Sequence, residues 1–138
     1  MSDDLPQLEP IGHVESPLVD TSTAPKQGEE GAPDAWLVFD ERFGAGLDGL
    51  SPGSEVVVLT WLHRGRRDVL RVHPRGDPDR PQRGVFTTRS PSRPNPIGLH
   101  RVEVVSVDGL KVRVRNLEAV DGTPVIDVKS VQPGRYDD

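Results

Sequence analysis

The chain of 138 residues contains no cysteine, and this absence excludes several kinds of chemistry. Without thiols the protein can form no disulfide and no thiolate zinc site, and it has no cysteine nucleophile. No apolar run approaches the length of about 18 residues that marks a membrane-spanning helix. The N-terminus, from Met1 to Leu5, lacks the basic and apolar regions of a signal peptide. We therefore expect a soluble, cytoplasmic protein that makes no membrane contact.

Aromatic residues are also scarce, at 4% of the sequence, whereas glycine and proline each occur 14 times. This composition is poor for helices and compatible with many short strands joined by turns. The length fits one domain with a single core. We expect a disordered tail at 1–9, a folded domain at 10–132 and a second tail at 133–138.

The net charge of −5 conceals a basic middle third of the chain. Residues 64–101 contain 10 arginines and 3 aspartates, whereas residues 1–55 contain 12 acidic and 2 basic residues. Because a guanidinium binds phosphate and carboxylate groups through two hydrogen bonds, the middle third suits an anionic ligand. Alternatively, these arginines pair with the acidic first third within the fold. The sequence alone supports both interpretations.

Short runs rich in β-branched residues, separated by turn signals, predict the strands. These strands lie at 10–17, 35–39, 55–63, 69–72, 84–88, 98–107, 110–116 and 125–128. The longest apolar run, 55–63, predicts a central strand that is buried on both faces. Asp108-Gly109 predicts a hairpin turn, and 41–50 predicts a short helical turn. The pattern favours an all-β barrel or sandwich with few or no helices.

Three prolines stiffen the segment 91–96. Each fixes φ and removes a backbone donor, so this segment can be neither a helix nor a central strand. The segment is therefore ordered before any ligand arrives, and it presents Arg89, Arg93 and Asn95. The alternative is a surface turn whose arginines are merely solvated.

Common metal, nucleophile and nucleotide motifs are missing. The four histidines show no spacing typical of zinc ligands, and they are His13, His63, His73 and His100. Ser90 lacks the Gly-x-Ser-x-Gly context of an activated serine. Neither Gly-x-Gly-x-x-Gly nor a P-loop motif occurs. We expect no metal ion and no Rossmann fold.

The run Gly84–Leu99, Gly-Val-Phe-Thr-Thr-Arg-Ser-Pro-Ser-Arg-Pro-Asn-Pro-Ile-Gly-Leu, resembles the signature of the TsaA-like (TrmO) family of tRNA (adenine-37) methyltransferases. The Ile-Gly and Ser-Pro pairs within 11–17 resemble the family's opening. Asp-Gly-Thr-Pro at 121–124 and Asp-Val-Lys at 127–129 resemble its closing element. The resemblance implies a single-domain β-barrel that binds S-adenosylmethionine, acts on tRNA and forms a homodimer with the site near the subunit interface.

The resemblance also implies which residues contact the cofactor. They are Pro25, Lys26, Gln27, His63, Arg64, Arg89, Leu99, Asp121, Gly122, Thr123 and Pro124. Lys26 stands where the family has arginine, and Ser130-Val131 replaces the family's closing Pro-Tyr. We also expect the chain to lack the C-terminal domain of the longer bacterial members.

Methyl transfer requires an in-line approach to the methyl carbon, so positioning does most of the work. The exocyclic amine of adenine becomes cationic as it attacks, and a nearby carboxylate can accept its proton. Asp127 is our candidate for this catalytic role, and the alternative is that it only anchors Lys129 or a turn. Candidate substrate contacts are Arg93, Asn95 and Lys129, since threonylcarbamoyl-modified adenosine carries a carboxylate.

The expected function is therefore methylation of the exocyclic amine of threonylcarbamoyl-modified adenosine at tRNA position 37. One alternative is the same cofactor fold acting on a small-molecule acceptor. Another is a non-catalytic module that binds S-adenosylmethionine.

Overall fold

The computed structural model describes residues 5–18 and 33–131, and alternating burial explains its strands. Within these residues the strands are β1 Gly12–Glu15, β2 Ala35–Phe39, β3 Glu55–Trp61, β4 Arg71–Val72, β5 Arg83–Gly84, β6 Ile97–Asp108, β7 Lys111–Val114 and β8 Pro124–Ser130. Three 3₁₀ helices span Glu41–Leu47, Pro74–Gly76 and Val85–Thr87. Residues 5–10 are exposed and have no regular structure. The other parts of the predicted tails lie outside the described residues.

Six strands close into an antiparallel barrel in the order β1-β2-β7-β6-β3-β8. Strands β4 and β5 form a separate two-stranded ribbon. β6 and β7 make the predicted hairpin, in which Asp108 is opposite Lys111 and Gly109 adopts φ +61°. Glycine suits this turn because a positive φ strains other residues. The predicted all-β barrel is confirmed.

One face of each barrel strand supplies the core. Val14, Leu37, Val58, Val104 and Val112 are each at most 1% exposed and pack in one cluster. In β3 the inward residues are buried and the alternate residues are half-buried. The prediction that β3 is buried on both faces is therefore wrong, because a closed barrel has one interior. Its outward side chains, Val57, Leu59 and Trp61, stay partly exposed.

Two other local predictions fail near the ribbon. The predicted strand 84–88 is instead the end of β5 followed by the 3₁₀ helix Val85–Thr87. Thr87 Oγ1 donates to the Gly84 carbonyl at 2.8 Å, which holds the turn closed. The strand predicted at 69–72 shortens to Arg71–Val72. The helical turn predicted at 41–50 forms as the 3₁₀ helix Glu41–Leu47, capped by Asp40.

Antiparallel pairing brings several chain segments to one end of the barrel. The end of β3 meets the start of β6, since Trp61 is opposite Ile97. The end of β3 also meets the start of β8, because Thr60 is opposite Val125. We call this end, where β3 finishes and β6 and β8 begin, the site end.

Candidate functional site

Two loops at the site end are fastened together, and we call residues 62–67 and 91–96 the loop pair. Leu62 N donates to the Pro96 carbonyl at 2.7 Å, and Arg93 N donates to the Arg66 carbonyl at 2.8 Å. A Cβ on Gly65 would collide with the Pro91 carbonyl oxygen. The backbones therefore approach so closely that only glycine fits at position 65.

Arg93 organises the loop that carries it. Its Nη1 donates to the carbonyls of Thr88 at 3.1 Å and Ser90 at 3.0 Å. Its Nη2 donates to the Val85 carbonyl at 2.7 Å. One charged donor group thus binds three carbonyls of the loop, of which that of Val85 also accepts from Thr88 N and Oγ1. The structure gives Arg93 a positioning role in the fold. The guanidinium N–H groups that make these contacts are the same donors that its predicted substrate role requires.

Arg67 is a residue that the sequence analysis missed. Its Nε donates to the Pro94 carbonyl at 2.7 Å, and its Nη2 donates to Asn95 Oδ1 at 3.1 Å. The guanidinium also lies 5.3 Å from the centroid of the Trp61 ring. Arg67 therefore fixes the amide of Asn95, a predicted substrate contact, and leaves the NH₂ group of Asn95 exposed. No local motif identifies Arg67, because its partners lie 27 and 28 residues away.

A buried polar chain lies inside the barrel beneath these loops. His100 Nδ1 is 2.8 Å from Glu118 Oε1, and His100 Nε2 is 2.8 Å from Thr60 Oγ1. Because an ionised carboxylate only accepts hydrogen bonds, His100 Nδ1 is the donor to Glu118. Gly98 makes room for the contact between His100 and Thr60, since a Cβ there would lie 2.7 Å from His100 Nε2. This chain of hydrogen bonds links β3 and β6 to the segment before β8.

The predicted cofactor turn at 121–124 is fastened to the end of β1. Asp121 N donates to the Leu18 carbonyl at 2.6 Å, and Ser16 N donates to Asp121 Oδ1 at 3.1 Å. Thr123 is 1% exposed, and its hydroxyl donates to the Val120 carbonyl at 2.7 Å. Gly122 adopts φ +84°, which favours glycine. Asp121 and Gly122 are exposed, so this turn offers a carboxylate and a backbone in fixed positions.

Leu99 and Asp127 share one row across the outer face of the barrel. Leu99 is opposite Leu59, and Leu59 is opposite Asp127. Two strand spacings separate Leu99 from Asp127, a distance of about 10 Å between their backbones. Asp127 Oδ2 lies 4.0 Å from Lys129 Nζ, and the two side chains are 50% and 69% exposed. The anchoring interpretation of Asp127 thus has a contact that supports it.

Three predicted cofactor contacts are exposed at the loop pair or next to it. His63 and Arg64 lie two and three residues after the end of β3, and Arg89 lies two residues before the proline-stiffened loop. Arg89 makes no hydrogen bond or ion pair with any residue that the structure describes. Arg66, by contrast, donates two hydrogen bonds to Asp68, and these hold the pKa of the Asp68 carboxyl below its usual value. Pro25, Lys26 and Gln27 lie outside the described residues.

Comparison with known proteins identifies the family. Residues 13–137 match the family described as the tRNA-methyltransferase O N-terminal domain. The chain belongs to the TrmO family. It is 46% identical to the S-adenosyl-L-methionine-binding protein of Archaeoglobus fulgidus, covering 91% of this chain and 89% of that protein. It is 48% identical to a probable S-adenosyl-L-methionine-binding protein of Methanothermobacter thermautotrophicus, covering 94% and 92% of the two chains.

Solved structures share the TrmO fold. The crystal structure of TrmO from Pseudomonas aeruginosa superposes with a TM-score of 0.76 at 27% identity over 94% of this chain. A second TrmO crystal structure superposes with a TM-score of 0.75 at 28% identity. This chain spans 57% and 58% of the lengths of those two chains. The predicted family is confirmed, and the predicted cofactor agrees with the names of the relatives.

The exposed groups of this TrmO-family site end fit S-adenosylmethionine chemically. The guanidinium of Arg89, which has no partner among the described residues, suits the carboxylate of the methionyl group. Asp121 Oδ2 makes no hydrogen bond within the described residues, so it can accept from the ammonium or a ribose hydroxyl. Within residues 5–18 and 33–131, no three His, Asp or Glu side chains form a group that could hold a metal ion.

A groove of about 760 Å³ lies elsewhere, between the 3₁₀ helix Glu41–Leu47 and the opposite end of the barrel. Phe43, Leu47 and Leu50 line it, together with Asp127 as the one predicted site residue. Leu47 and Leu50 also pack against the core. The groove is thus the underside of a covering helix, separate from the exposed groups of the site end.

In the part of the chain that the structure describes, no helix is both long and apolar enough to cross a membrane.

Proposed function

We propose that this TrmO-family chain is an S-adenosylmethionine-dependent methyltransferase that acts on tRNA. Its target is the exocyclic amine of threonylcarbamoyl-modified adenosine at position 37. The observation that carries the proposal is the gathering of His63, Arg89 and the Asp121–Pro124 turn at one end of the barrel. The family description, which names a tRNA methyltransferase, supports the acceptor.

Bound S-adenosylmethionine supplies an electrophilic methyl group on a sulfonium centre. Arg89 would hold its carboxylate, and Asp121 would hold a hydroxyl or the ammonium group. His63, Arg64, Leu99 and the predicted contacts at 25–27 would complete the cofactor site. The loop pair and the fastened 121–124 turn keep these groups in place beforehand, which lowers the entropic cost of binding.

Asp127 remains our candidate for the group that accepts the proton from the attacking amine. Its place on the outer face, in one row with Leu99, supports the proposal. Its carboxylate lies 4.0 Å from Lys129 Nζ, which orients it on this face. Lys129 and the NH₂ group of Asn95 would then contact the acceptor nucleotide. We also propose a cytoplasmic homodimer.

The test is mass spectrometry of tRNA nucleosides after incubation with S-adenosylmethionine that carries a deuterated methyl group. We expect a labelled methyl group on threonylcarbamoyl-modified adenosine and none on tRNA that lacks the threonylcarbamoyl group. The matched control is Asp127→Asn, which keeps the shape of the side chain. Wild-type protein that binds the cofactor and leaves fully modified tRNA unlabelled would overturn the proposal.

Two alternatives have specific support. The net charge of −5 favours a small-molecule acceptor. The names of the relatives, which describe binding proteins, favour a non-catalytic module. Activity that does not change with salt would support the small-molecule acceptor, because counterion release makes nucleic-acid binding depend strongly on salt. Cofactor binding without any methyl transfer would support the module.

A further inference from the structure

We infer that the segment formed by 70–72 and 83–87, here called the arginine ribbon, is a docking surface for single-stranded RNA. Phe86 would stack on a base, and Arg71 and Arg83 would contact phosphates. The inference rests on the proposed tRNA substrate and assigns the surface that holds it. This surface lies outside the residues predicted to contact the cofactor.

Phe86 is displayed on a turn that cannot easily collapse. Its side chain is 78% exposed, whereas the preceding Val85 is 1% exposed and anchors the turn in the protein. The Val85 carbonyl accepts hydrogen bonds from Arg93 Nη2 at 2.7 Å and from Thr88 Oγ1 at 2.9 Å. Val85 N donates to the Leu70 carbonyl at 2.9 Å and so joins the turn to the ribbon. A rigid exposed aromatic ring loses little conformational entropy when it binds a partner.

Arg71 and Arg83 are exposed on the two strands of the ribbon, and their guanidiniums make no hydrogen bond or ion pair within the described residues. Arg71 is opposite Gly84, and Arg83 is opposite Val72. Opposite positions in an antiparallel pair share a face, so the two guanidiniums leave opposite faces of the ribbon. Gly84 adds no side chain beside Arg71, and a Cβ there would meet nothing nearer than the Leu70 carbonyl at 4.0 Å. Both cations are therefore available to an anionic partner.

An exposed aromatic ring that shares the arginine ribbon with two exposed guanidiniums matches the needs of a single nucleic-acid strand. Bases stack on aromatic side chains while arginines neutralise the backbone, and this stacking tolerates any base sequence. Duplex RNA hides its base faces, so it would leave the ring of Phe86 unused. An acidic peptide could pair with the arginines, but it would not require a flat aromatic face. The combination of ring and charge therefore favours an unpaired RNA segment such as a tRNA loop.

The experiment is fluorescence anisotropy with labelled oligoadenylate of about 12 nucleotides and with full-length tRNA transcript. We expect Phe86→Ala and Phe86→Leu each to weaken binding about tenfold or more, and Phe86→Trp to bind like wild type. Arg71→Gln and Arg83→Gln should each lower the salt slope of binding by about 0.7, as the loss of one contact with single-stranded phosphate requires. Control variants are Leu8→Ala, an exposed apolar truncation elsewhere, and Arg115→Gln, which removes an arginine paired with Glu103.

Several results would overturn the inference. Unchanged RNA binding in Phe86→Ala excludes the docking role, and wild-type-like binding in Phe86→Leu excludes stacking. A lower oligomeric mass of Phe86→Ala in sedimentation, with RNA affinity per subunit unchanged, would show that a second copy of the chain covers this ring. A peptide of glutamates that competes as well as RNA would show a protein partner instead.

Cofactor calorimetry on the same variants separates this inference from the proposed function. We expect Phe86→Ala to bind S-adenosylmethionine like wild type, and a matching loss of cofactor affinity would place Phe86 in the cofactor site and overturn the inference. If wild-type protein binds RNA through Phe86 but methylates no tRNA, the proposed function fails and the inference stands. If tRNA is methylated and Phe86→Ala changes neither binding nor kcat/KM, only the inference fails.

Discussion

The loop pair and the arginine ribbon are both rich in arginine, yet they use it in opposite ways. In the loop pair, Arg67 donates to the Pro94 carbonyl and to Asn95, and Arg93 donates to three backbone carbonyls. In the ribbon, Arg71 and Arg83 make no such contact with described residues. The first set holds the chain in shape, and the second is available to a ligand. Arginine density along the sequence therefore does not distinguish structural from binding arginines.

The sequence leaves open whether the arginines of the basic middle third pair with the acidic first third, and the structure answers much of this question. Within the described residues, Arg101 pairs with Glu55 of the acidic first third. Arg66 and Arg80 instead pair with Asp68 and Asp77, which belong to the basic segment itself. The basic middle third is thus not generally neutralised by the acidic first third among these residues, which leaves Arg71, Arg83 and Arg89 for an anionic partner.

The largest effect should come from Gly98→Ala, which disrupts the buried chain of hydrogen bonds beneath the loop pair. The new Cβ would collide with Thr60 Oγ1 and lie 2.7 Å from His100 Nε2, so the hydrogen bond between them must break or move. We expect a loss of about 2–4 kcal/mol in unfolding free energy, measured by urea denaturation. Gly84→Ala in the ribbon is the matched control, since it meets open space with φ −62° and should be neutral. Equal losses of unfolding free energy in both variants would contradict this difference between the loop pair and the ribbon.

A smaller effect should separate Arg93→Ala from Arg71→Ala. Removing Arg93 leaves the carbonyls of Val85, Thr88 and Ser90 without their charged donor, and we expect a loss of about 2 kcal/mol. Removing Arg71 should change the unfolding free energy by less than about 0.5 kcal/mol. Thermal or urea unfolding of the two proteins checks this difference. A neutral Arg93→Ala variant would show that the guanidinium is not what shapes the loop.

The smallest effect concerns an exposed ion pair at the edge of β3. The hydrogen bond from Arg101, 2.6 Å from Glu55 Oε1, lowers the pKa of the Glu55 carboxyl below its ordinary value of 4.5. A lowered native pKa contributes stability that is present above the unfolded pKa and is lost as the pH falls through the native pKa. We therefore expect Glu55→Gln to be slightly less stable than wild type at neutral pH and equal to it in strong acid. A nuclear magnetic resonance titration that finds an ordinary Glu55 pKa would contradict this.

Local patterns predicted most of the barrel, because alternation and turn residues act over a few positions. Ala35–Phe39 and the Asp108-Gly109 hairpin illustrate this success. The predicted strand at 84–88 failed because Thr87 and Thr88 close a turn on the carbonyls of Gly84 and Val85, and Arg93 adds a donor from eight residues beyond Val85. The burial of β3 on both faces failed because an apolar run does not reveal how many of its faces are covered.

Local sequence patterns predicted less of the site than of the fold. Arg67 acts on partners 27 and 28 residues away, and the link from His100 to Glu118 spans 18 residues. The predicted cofactor positions came from a family resemblance. That 63–64 and 121–124 lie at one end of the barrel follows from strand pairing that no single segment encodes. The exposure of Phe86 was equally invisible, since an aromatic residue in a β-like pattern usually predicts core.

The most direct test of the account is calorimetric titration of S-adenosylmethionine into wild type, Arg89→Lys and Arg71→Lys. Lysine keeps the charge but loses the planar fork of the guanidinium, so two-point binding of a carboxylate is lost. We predict that Arg89→Lys binds the cofactor about tenfold or more weakly, since a charge-assisted hydrogen bond contributes roughly 1.5–3 kcal/mol. Arg71→Lys should bind like wild type, and both variants should unfold at the wild-type urea midpoint. Unchanged affinity in Arg89→Lys would contradict the assignment of the site end as the cofactor site.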